Sequence, residues 1–211
     1  MKDLIIVGAG GFGRELLSYA LDIERGGMVE WKVKGFINDI LGALDNYEIN
    51  YPILGPINGH IVQENAVYIC AIGDSKARLS IGRELQLKGA KFINLIHSSV
   101  TIRERIEMGV GNIFCPYSGV NPDVKFGDFV LVNGGSWFGH DCIIEDGVTV
   151  SSNCDITGNC ILEEGVFLGT RSVIIPKRKI GKYAKISAGA VVFTHVKPER
   201  TMIGNPAKIL K

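Results

Sequence analysis

Apolar residues recur at every sixth position through the second half of the chain. The register runs from Ile96 to Val192 and every one of its positions is apolar. Small residues dominate four positions after each apolar residue, and only Asn112 and Arg178 clearly break this second rule. The seventeen apolar positions are Ile96, Ile102, Met108, Phe114, Val120, Phe126, Val132, Phe138, Ile144, Val150, Ile156, Leu162, Leu168, Ile174, Ile180, Ile186 and Val192.

A six-residue period fits neither an amphipathic helix nor a simple alternating strand. It fits a short strand followed by a turn, in which the small residue and the next apolar residue are two apart and both point inward. Three such sides make one coil, and stacked coils bury each other's faces at a strand spacing of about 4.8 Å. The pattern therefore predicts triangular coils over residues 96–192, with the seventeen apolar side chains inside.

Residues 2–92 lack this period and predict a small α/β unit. Residues 4–7 read as a buried strand, a glycine-rich segment follows, and residues 14–23 carry a helical apolar stripe. Residues 33–37 and 67–72 read as two further strands, and residues 83–88 as a short helix. The fold class predicted is mainly β with an α/β N-terminal domain, divided into residues 1–92, a Rossmann-like βαβ domain, and residues 93–211, a β-helix.

The glycine-rich segment has the layout of a phosphate site. Gly8, Gly10 and Gly13 match the dinucleotide-binding spacing, and amides at a helix N-terminus favour an anion. The acidic partner of that motif lies about 20 residues further on, whereas Asp39 lies later, and a complete NAD-binding fold needs more chain. An NAD site and a glycine turn that only packs the helix on the strand remain the alternatives.

Composition narrows the class of protein. The net charge is +1 and 21% of residues are charged, so we expect neither nucleic acid binding nor membrane insertion. The N-terminus lacks a signal-peptide layout, which predicts a cytoplasmic protein. Five cysteines without paired spacing argue against a disulfide framework. Cys142, Cys154 and Cys160 occupy small inward positions and read as core residues, so no metal site is expected.

One of the four histidines stands out. His140 takes a corner position of its hexad, with Gly139 before it and Asp141 after it. Histidine suits a general base in acyl transfer, and a carboxylate on its other nitrogen fixes the tautomer. From the motif alone, a base and an exposed structural histidine are both open. His60, His97 and His195 read as structural or solvated.

The two halves together resemble the NeuD/PglD family of sugar acetyltransferases, within the hexapeptide-repeat acyltransferases. The landmarks are residues 6–13, 36–39, 71–74 with Arg78, 94–97, Asn133, 139–141 and 204–208. The resemblance implies a left-handed β-helix, a homotrimer with sites between subunits, and acetyl-CoA as cosubstrate. Asn38 stands where the family often has an acid, which bears on the choice of nucleotide.

The resemblance also implies roles for individual residues. His140 is the expected base, Asp141 orients it, and Gly158, one coil further on, offers an oxyanion amide. The expected coenzyme A residues are Gly158, Gly169, Thr170, Ala188 and Lys208. The expected residues for the nucleotide sugar are Gly10, Gly13, Asn38, Asp39, Gly73 and Asn133.

The function expected is acetyl transfer to the amino group of a nucleotide-linked amino sugar in surface glycan biosynthesis. Two alternatives remain. One is O-acetylation of a sugar of the sialic acid type, because the same base serves a hydroxyl. The other is a non-catalytic nucleotide-sugar-binding protein whose β-helix serves only for trimerisation.

Overall fold

The computed structural model describes residues 1–27 and 29–210. Met28 and Lys211, which the predicted domains include, lie outside the described residues. The chain divides into two compact units, Met1–His97 and Ser98–Lys211. Neither helix of the described residues is long and apolar enough to cross a membrane.

The first unit is a parallel three-stranded sheet with two helices. Its elements are β1 (Lys2–Val7), α1 (Gly11–Arg25), β2 (Trp31–Ile37), β3 (Ala66–Cys70), α2 (Ser75–Leu87) and β4 (Leu95–Ile96). The strand order is β2-β1-β3, so β1 lies at the centre and its apolar residues are buried. Since all three strands are parallel, their carboxyl ends meet at one edge of the sheet.

The second helix begins earlier than the sequence predicts. The apolar pattern indicates a helix only over residues 83–88, whereas α2 begins at Ser75. Asp74 is the reason, because its side chain accepts the amide of Ala77 at 2.8 Å and caps the helix. The preceding strand correspondingly ends at Cys70 rather than at Ile72.

The second unit is a parallel β-solenoid of two-residue strands. They are β5 (Thr101–Ile102), β6 (Glu107–Met108), β7 (Ile113–Phe114), β8 (Gly119–Val120), β9 (Lys125–Phe126), β10 (Leu131–Val132), β11 (Trp137–Phe138), β12 (Ile143–Ile144), β13 (Thr149–Val150), β14 (Asp155–Ile156), β15 (Ile161–Leu162), β16 (Phe167–Leu168), β17 (Val173–Ile174), β18 (Lys179–Ile180), β19 (Lys185–Ile186) and β20 (Val191–Val192). Strands β21 (Thr201–Ile203) and β22 (Lys208–Ile209) close the unit as an antiparallel pair.

From β5 to β20, paired strands are three positions apart, so three faces form. Within this unit, the first face contains β7, β10, β13, β16, β19 and β21, the second β5, β8, β11, β14, β17 and β20, and the third β6, β9, β12, β15 and β18. Residues eighteen apart, such as Trp137 and Asp155, are register partners. One coil is therefore eighteen residues, as the period predicts.

The corners of the coils share one backbone conformation. The third residue after each inward apolar residue has a positive φ at all fifteen corners from Arg105 to Gly189, and ten of these residues are not glycine. We name the three edges by the residues that form them. Corner A comprises 103–106, 121–124, 139–142, 157–160 and 175–178; corner B comprises 109–112, 127–130, 145–148, 163–166 and 181–184; corner C comprises 115–118, 133–136, 151–154, 169–172 and 187–190.

The predicted inward register is confirmed from Phe114 onward. All fourteen positions from Phe114 to Val192 are at most 5% exposed, and burial of each such side chain contributes about 1.5–3 kcal/mol. Ile96 and Met108 are half-buried and Ile102 is 37% exposed, contrary to the prediction. These three belong to the first coil, where the stack of coils begins.

Candidate active site

His140 lies in the turn that joins β11 to β12 at corner A. The next residue, Asp141, has φ 60, so the turn projects the imidazole away from the coil. The backbone is held from both sides, because Asp141 N–H donates to Pro122 O at 3.2 Å and His140 O accepts from Asn159 N–H at 2.8 Å. The position of His140 is therefore fixed by the coils before and after it.

His140 and Asp141 form a hydrogen-bonded pair. His140 Nδ1 lies 2.6 Å from Asp141 Oδ2, and their side chains are 62% and 54% exposed. An ionised carboxylate only accepts hydrogen bonds, so Nδ1 carries the proton in this contact. In the neutral imidazole, Nε2 is then left as the acceptor, which is the state that a general base requires.

Gly158 lies directly against the imidazole. A Cβ added to Gly158 would stand 2.7 Å from His140 Nε2 and 2.9 Å from Cε1. A Cβ added to Gly139 would in turn strike the amide nitrogen of Gly158. Two glycines on adjacent coils thus let the imidazole and an amide approach each other. Within residues 1–27 and 29–210, the Gly158 N–H has no acceptor.

The residues expected to bind coenzyme A lie mostly on another edge. Gly169, Thr170 and Ala188 form part of corner C, and a Cβ on Gly169 would stand 2.6 Å from Ala188 N. The amides of Thr170 and Ala188 have no acceptor in the described part of the chain. Corner C thus combines small side chains with free amides. Lys208 lies in β22, whose partner strand β21 accepts the Ser187 N–H of corner C through Met202 O at 2.8 Å.

Asn133 also belongs to corner C. Its N–H donates to Val150 O at 2.8 Å, and its side-chain oxygen accepts a weak contact from Cys115 Sγ at 3.8 Å. The structure therefore brings His140, Asp141 and Gly158 together at one edge. It does not bring Asn133 or the corner C glycine to them within a single chain.

The expected nucleotide residues gather at the carboxyl edge of the first unit's sheet. Gly8 has φ 101, and a Cβ on Gly13 would strike Gly8 O, so Gly13 allows α1 to pack on the end of β1. Added Cβ atoms on Gly10 and Gly73 would meet nothing within 4 Å. These two glycines therefore border open space, whereas Gly13 serves packing.

Asn38 and Asp39 have structural contacts. The Asn38 side chain accepts Ala9 N–H at 3.1 Å and donates to Ile40 O at 2.8 Å, which ties the end of β2 to the glycine turn. Asp39 Oδ1 accepts the amides of residues 57 and 58, both at 2.9 Å. Both side chains make intramolecular hydrogen bonds. A nucleotide that contacted Asn38 or Asp39 would therefore bind a side chain that already has protein partners.

Arg78 supports the same edge from below. Its side chain is buried, and Nη1 donates to Ile72 O at 2.8 Å and to Gly73 O at 3.1 Å. Burial lowers the pKa of its guanidinium to about 10, against the opposing effects of Cys70 and Asp74. The group stays protonated at neutral pH, so it fixes the Gly73 loop by charged hydrogen bonds.

Sequence reasoning missed two charged contacts near these sites. In the first unit, the Arg14 guanidinium lies 3.7 Å above the Tyr47 ring, a cation–π contact with no sequence signal. At corner A, Arg105 Nε and Nη2 donate to the two oxygens of Asp123 at 2.6 and 2.9 Å. The second contact has a signal, because Arg105 and Asp123 precede Asp141 by two coils and one coil.

The other histidines have local partners. His60 Nε2 lies 3.0 Å from the Tyr68 hydroxyl, and burial, with a smaller effect of Lys88, lowers the pKa of His60. His195 Nδ1 accepts Lys179 N–H at 3.0 Å, and His97 packs edge-on against Tyr19. All five cysteines are buried thiols, and the described residues contain no cluster of three or more metal-binding side chains.

Known proteins similar to this chain include several acyltransferases. Residues 3–85 match the model of the PglD N-terminal domain family. GDP-perosamine N-acetyltransferase of Escherichia coli O157:H7 is 28% identical over 98% of this chain and 95% of its own length.

Solved structures with a similar fold match this chain over its full length. WeeI from Acinetobacter baumannii AYE has a TM-score of 0.87 at 28% identity and covers all of both chains. The acetyltransferase domain of PglB from Neisseria gonorrhoeae FA1090, in complex with acetyl coenzyme A, has a TM-score of 0.88 at 25% identity over 99% of each chain. The fold is thus an α/β unit followed by a left-handed parallel β-helix, as expected from the sequence.

Proposed function

We propose that the chain, an acetyltransferase that uses acetyl-CoA, is of the PglD/NeuD type and acetylates the amino group of a nucleotide-linked amino sugar. We further propose that this is a cytoplasmic step of surface glycan biosynthesis. The observation that carries the proposal is the His140–Asp141 pair packed on Gly158. It supplies an oriented base and an adjacent free amide, the two groups that acyl transfer requires.

His140 Nε2 is the proposed proton acceptor. As the amine nitrogen bonds to the thioester carbonyl carbon, its proton passes to Nε2, and Asp141 stabilises the imidazolium through Nδ1. When the carbon–sulfur bond breaks, the same proton returns to the leaving thiolate. The proton and electron pairs balance without a metal or a covalent acyl-enzyme.

Gly158 is the proposed oxyanion donor. Its N–H has no acceptor in the described residues, and it lies beside the imidazole that would contact the attacking amine. Removal of one such donor from an oxyanion site costs about 10²–10³ in turnover. A backbone amide cannot be removed by a side-chain substitution, so its position is the property open to test.

Corner C fits the pantetheine arm of acetyl-CoA. A thin amide-bearing chain needs close approach and hydrogen-bond donors, and Gly169 with the free amides of Thr170 and Ala188 provides both. We propose that Lys208, which is exposed, meets a phosphate of the coenzyme. Asn133, on the same edge, is proposed to lie near the acceptor.

The nucleotide is proposed to bind at the carboxyl edge of the first unit's sheet. The first backbone bond of α1 is donated by Arg14 N–H to Gly10 O at 3.0 Å, so the preceding amides of the helix have no intrahelical partner. Gly10 and Gly73 leave open space beside them, and the helix dipole favours a diphosphate there. Asn38 and Asp39 border the same edge.

The separation of the two edges supports a homotrimer. The base lies at corner A and the small-residue groove at corner C, so one chain does not join them. We propose that corner A of one subunit faces corner C of the next.

Two surface hollows of about 300 Å³ and about 310 Å³ are lined by other residues and contain none of the proposed catalytic residues.

The test is turnover with a panel of nucleotide sugars. Purified protein is mixed with acetyl-CoA and GDP- or UDP-linked sugars that carry a free amine, and released thiol is measured. We expect turnover with at least one amino sugar and a product resistant to alkaline hydroxylamine, which cleaves esters but not amides. A labile product would support O-acetylation, and binding without turnover would support the non-catalytic alternative.

A further inference from the structure

The side chains of corner A form a continuous column beside His140. The residues with positive φ at successive coils are Arg105, Asp123, Asp141, Asn159 and Lys177. From Asp123 to Lys177, each amide in this series donates to a carbonyl of the coil before, for example Asp123 N–H to Glu104 O at 3.3 Å. Their backbones are thus in register at about the strand spacing of 4.8 Å.

This register places two carboxylates at equivalent positions on adjacent coils. Asp123 and Asp141 are one coil apart, and each is held by a different side chain. Arg105 binds both oxygens of Asp123, at 2.6 and 2.9 Å, while His140 binds Asp141 at 2.6 Å. Bidentate contact is the strongest arrangement open to a guanidinium and a carboxylate, so the two pairs remain separate.

The two pairs are nevertheless within electrostatic reach. The pKa of Asp123 is lowered, chiefly by the hydrogen bond from Arg105 and also by the charge of His140. The pKa of Arg105 is raised, chiefly by Asp123, with a smaller effect of Asp141. The other charged corner residues on this edge are Arg103, Glu104, Lys177 and Arg178. Glu104 lies 3.1 Å from Arg105, Lys177 and Arg178 lie two coils beyond the His140 turn, and Asp155 lies on the adjoining face.

We propose that Asp123 is a positioning residue that retains Arg105 and so reserves the Asp141 carboxylate for His140. The proposal rests on the proposed function of His140 as the base. Without the Asp123 carboxylate, Arg105 retains the single contact with the exposed Glu104, so its guanidinium can turn to Asp141, the next carboxylate in the column. The imidazole would then lose its orienting partner and gain a neighbouring cation, and both changes favour the neutral ring.

Substitutions of Asp123 and of Arg105 are expected to shift the pH–rate profile in opposite directions. Asp123→Asn releases the cation toward the imidazole, which favours the neutral ring and weakens its orientation. Arg105→Gln removes the cation and leaves a second carboxylate near the imidazole, which favours the protonated ring. Because the base works as the neutral imidazole, the rising limb of the pH–rate profile follows the loss of its proton. The limb should shift to lower pH in the first variant and to higher pH in the second.

The experiment compares pH–rate profiles and NMR titrations of His140 in the oligomeric protein. For Asp123→Asn we expect turnover to fall about three- to tenfold and the limb to shift down by about half a pH unit, as for exposed charges in contact. Asp123→Glu should retain near wild-type values. Asp123→Asn combined with Arg105→Gln should recover turnover, because the released cation is gone.

Glu107→Gln is the matched control. Glu107 pairs with Lys125 at 2.8 Å between the same two coils, on another face, so this variant should leave the profile unchanged. If Asp123→Asn behaved like Glu107→Gln, or if the double variant failed to recover and the His140 pKa did not move, the proposal would be overturned. A fully active His140→Ala would refute only the proposed base, because the titration reads the coupling without turnover.

Discussion

Gly158→Ala is expected to disable the enzyme while leaving its fold intact. The new Cβ would stand 2.7 Å from His140 Nε2 and 2.9 Å from Cε1, whereas ordinary contact begins at 3.4 Å. The imidazole must therefore move by about 0.7 Å at its reactive end. A misplacement of about 1 Å typically costs about 10²-fold in rate, so we expect kcat to fall by about that factor.

Stability should change little, because the group that has to move is a side chain that is 62% exposed. Other residues at the same place in their turns, such as Thr170 and Ala188, carry side chains, so the corner backbone accepts a Cβ. We expect a melting temperature within about 2 °C of the wild type. The amide N–H is retained, so lost activity would report the position of the imidazole rather than a missing donor.

The assay measures kcat at saturating substrates, with thermal unfolding as a parallel readout. A double-mutant cycle sharpens it, because Gly158→Ala should have almost no further effect in a His140→Ala background. Activity of Gly158→Ala within about twofold of the wild type would contradict the close fit between Gly158 and the imidazole. Equal damage with and without the imidazole would contradict it as well.

Three further expectations can be checked with the same material. His140→Ala should lower turnover by about 10²–10⁴-fold without unfolding, and Asp141→Asn should cost less; a folded, active His140→Ala by turnover assay would refute the base. Gly10→Ala should weaken nucleotide-sugar binding in calorimetry while acetyl-CoA binding is kept, whereas Gly13→Ala should instead lower thermal stability, because its Cβ would strike Gly8 O. Light scattering should give a trimer, and a stable, active monomer would contradict the shared site.

The repeat could be predicted from the sequence because apolar residues occupy every position of one fixed period. Apolar residues at a fixed spacing can only bury themselves together if the chain coils, and positions from Phe114 onward are buried accordingly. The period does not indicate how many neighbouring coils cover a residue. The predicted burial of Ile102, at the start of the stack, was therefore wrong. Asn112 breaks the small-residue rule yet is buried, because its amide donates to Gly127 O at 3.0 Å and accepts Val130 N–H at 2.7 Å.

The candidate site was only partly readable from the sequence. The spacing of His140 and Gly158 by one coil predicts their proximity, and they are in contact. The same step of eighteen residues leads back from Asp141 to Asp123 and Arg105, but only if polar corner positions are followed as well as apolar ones. By contrast, no spacing rule indicates that Asp39, a predicted ligand residue, also accepts two backbone amides across a loop.

The three edges of the β-helix share a backbone but differ in how their outward amides are used. At corner B the chain satisfies them itself, since Asp128 and Asp146 each accept an amide of the preceding coil at 2.8 Å and Glu145 accepts that of the following one at 2.9 Å. At corners A and C the corresponding amides, including those of Gly158 and Thr170, have no acceptor in the described residues.

A polar group without a partner is costly once it is removed from water, so an edge with free amides is stable only if solvent or a ligand reaches it. The presence or absence of intramolecular acceptors for these amides thus distinguishes one structural edge from two edges suited to binding. This distinction does not depend on the resemblance to known families. The base stands on one of those edges and the small-residue groove on the other. The proposed contact between subunits would bring the free amides of both edges to a single thioester.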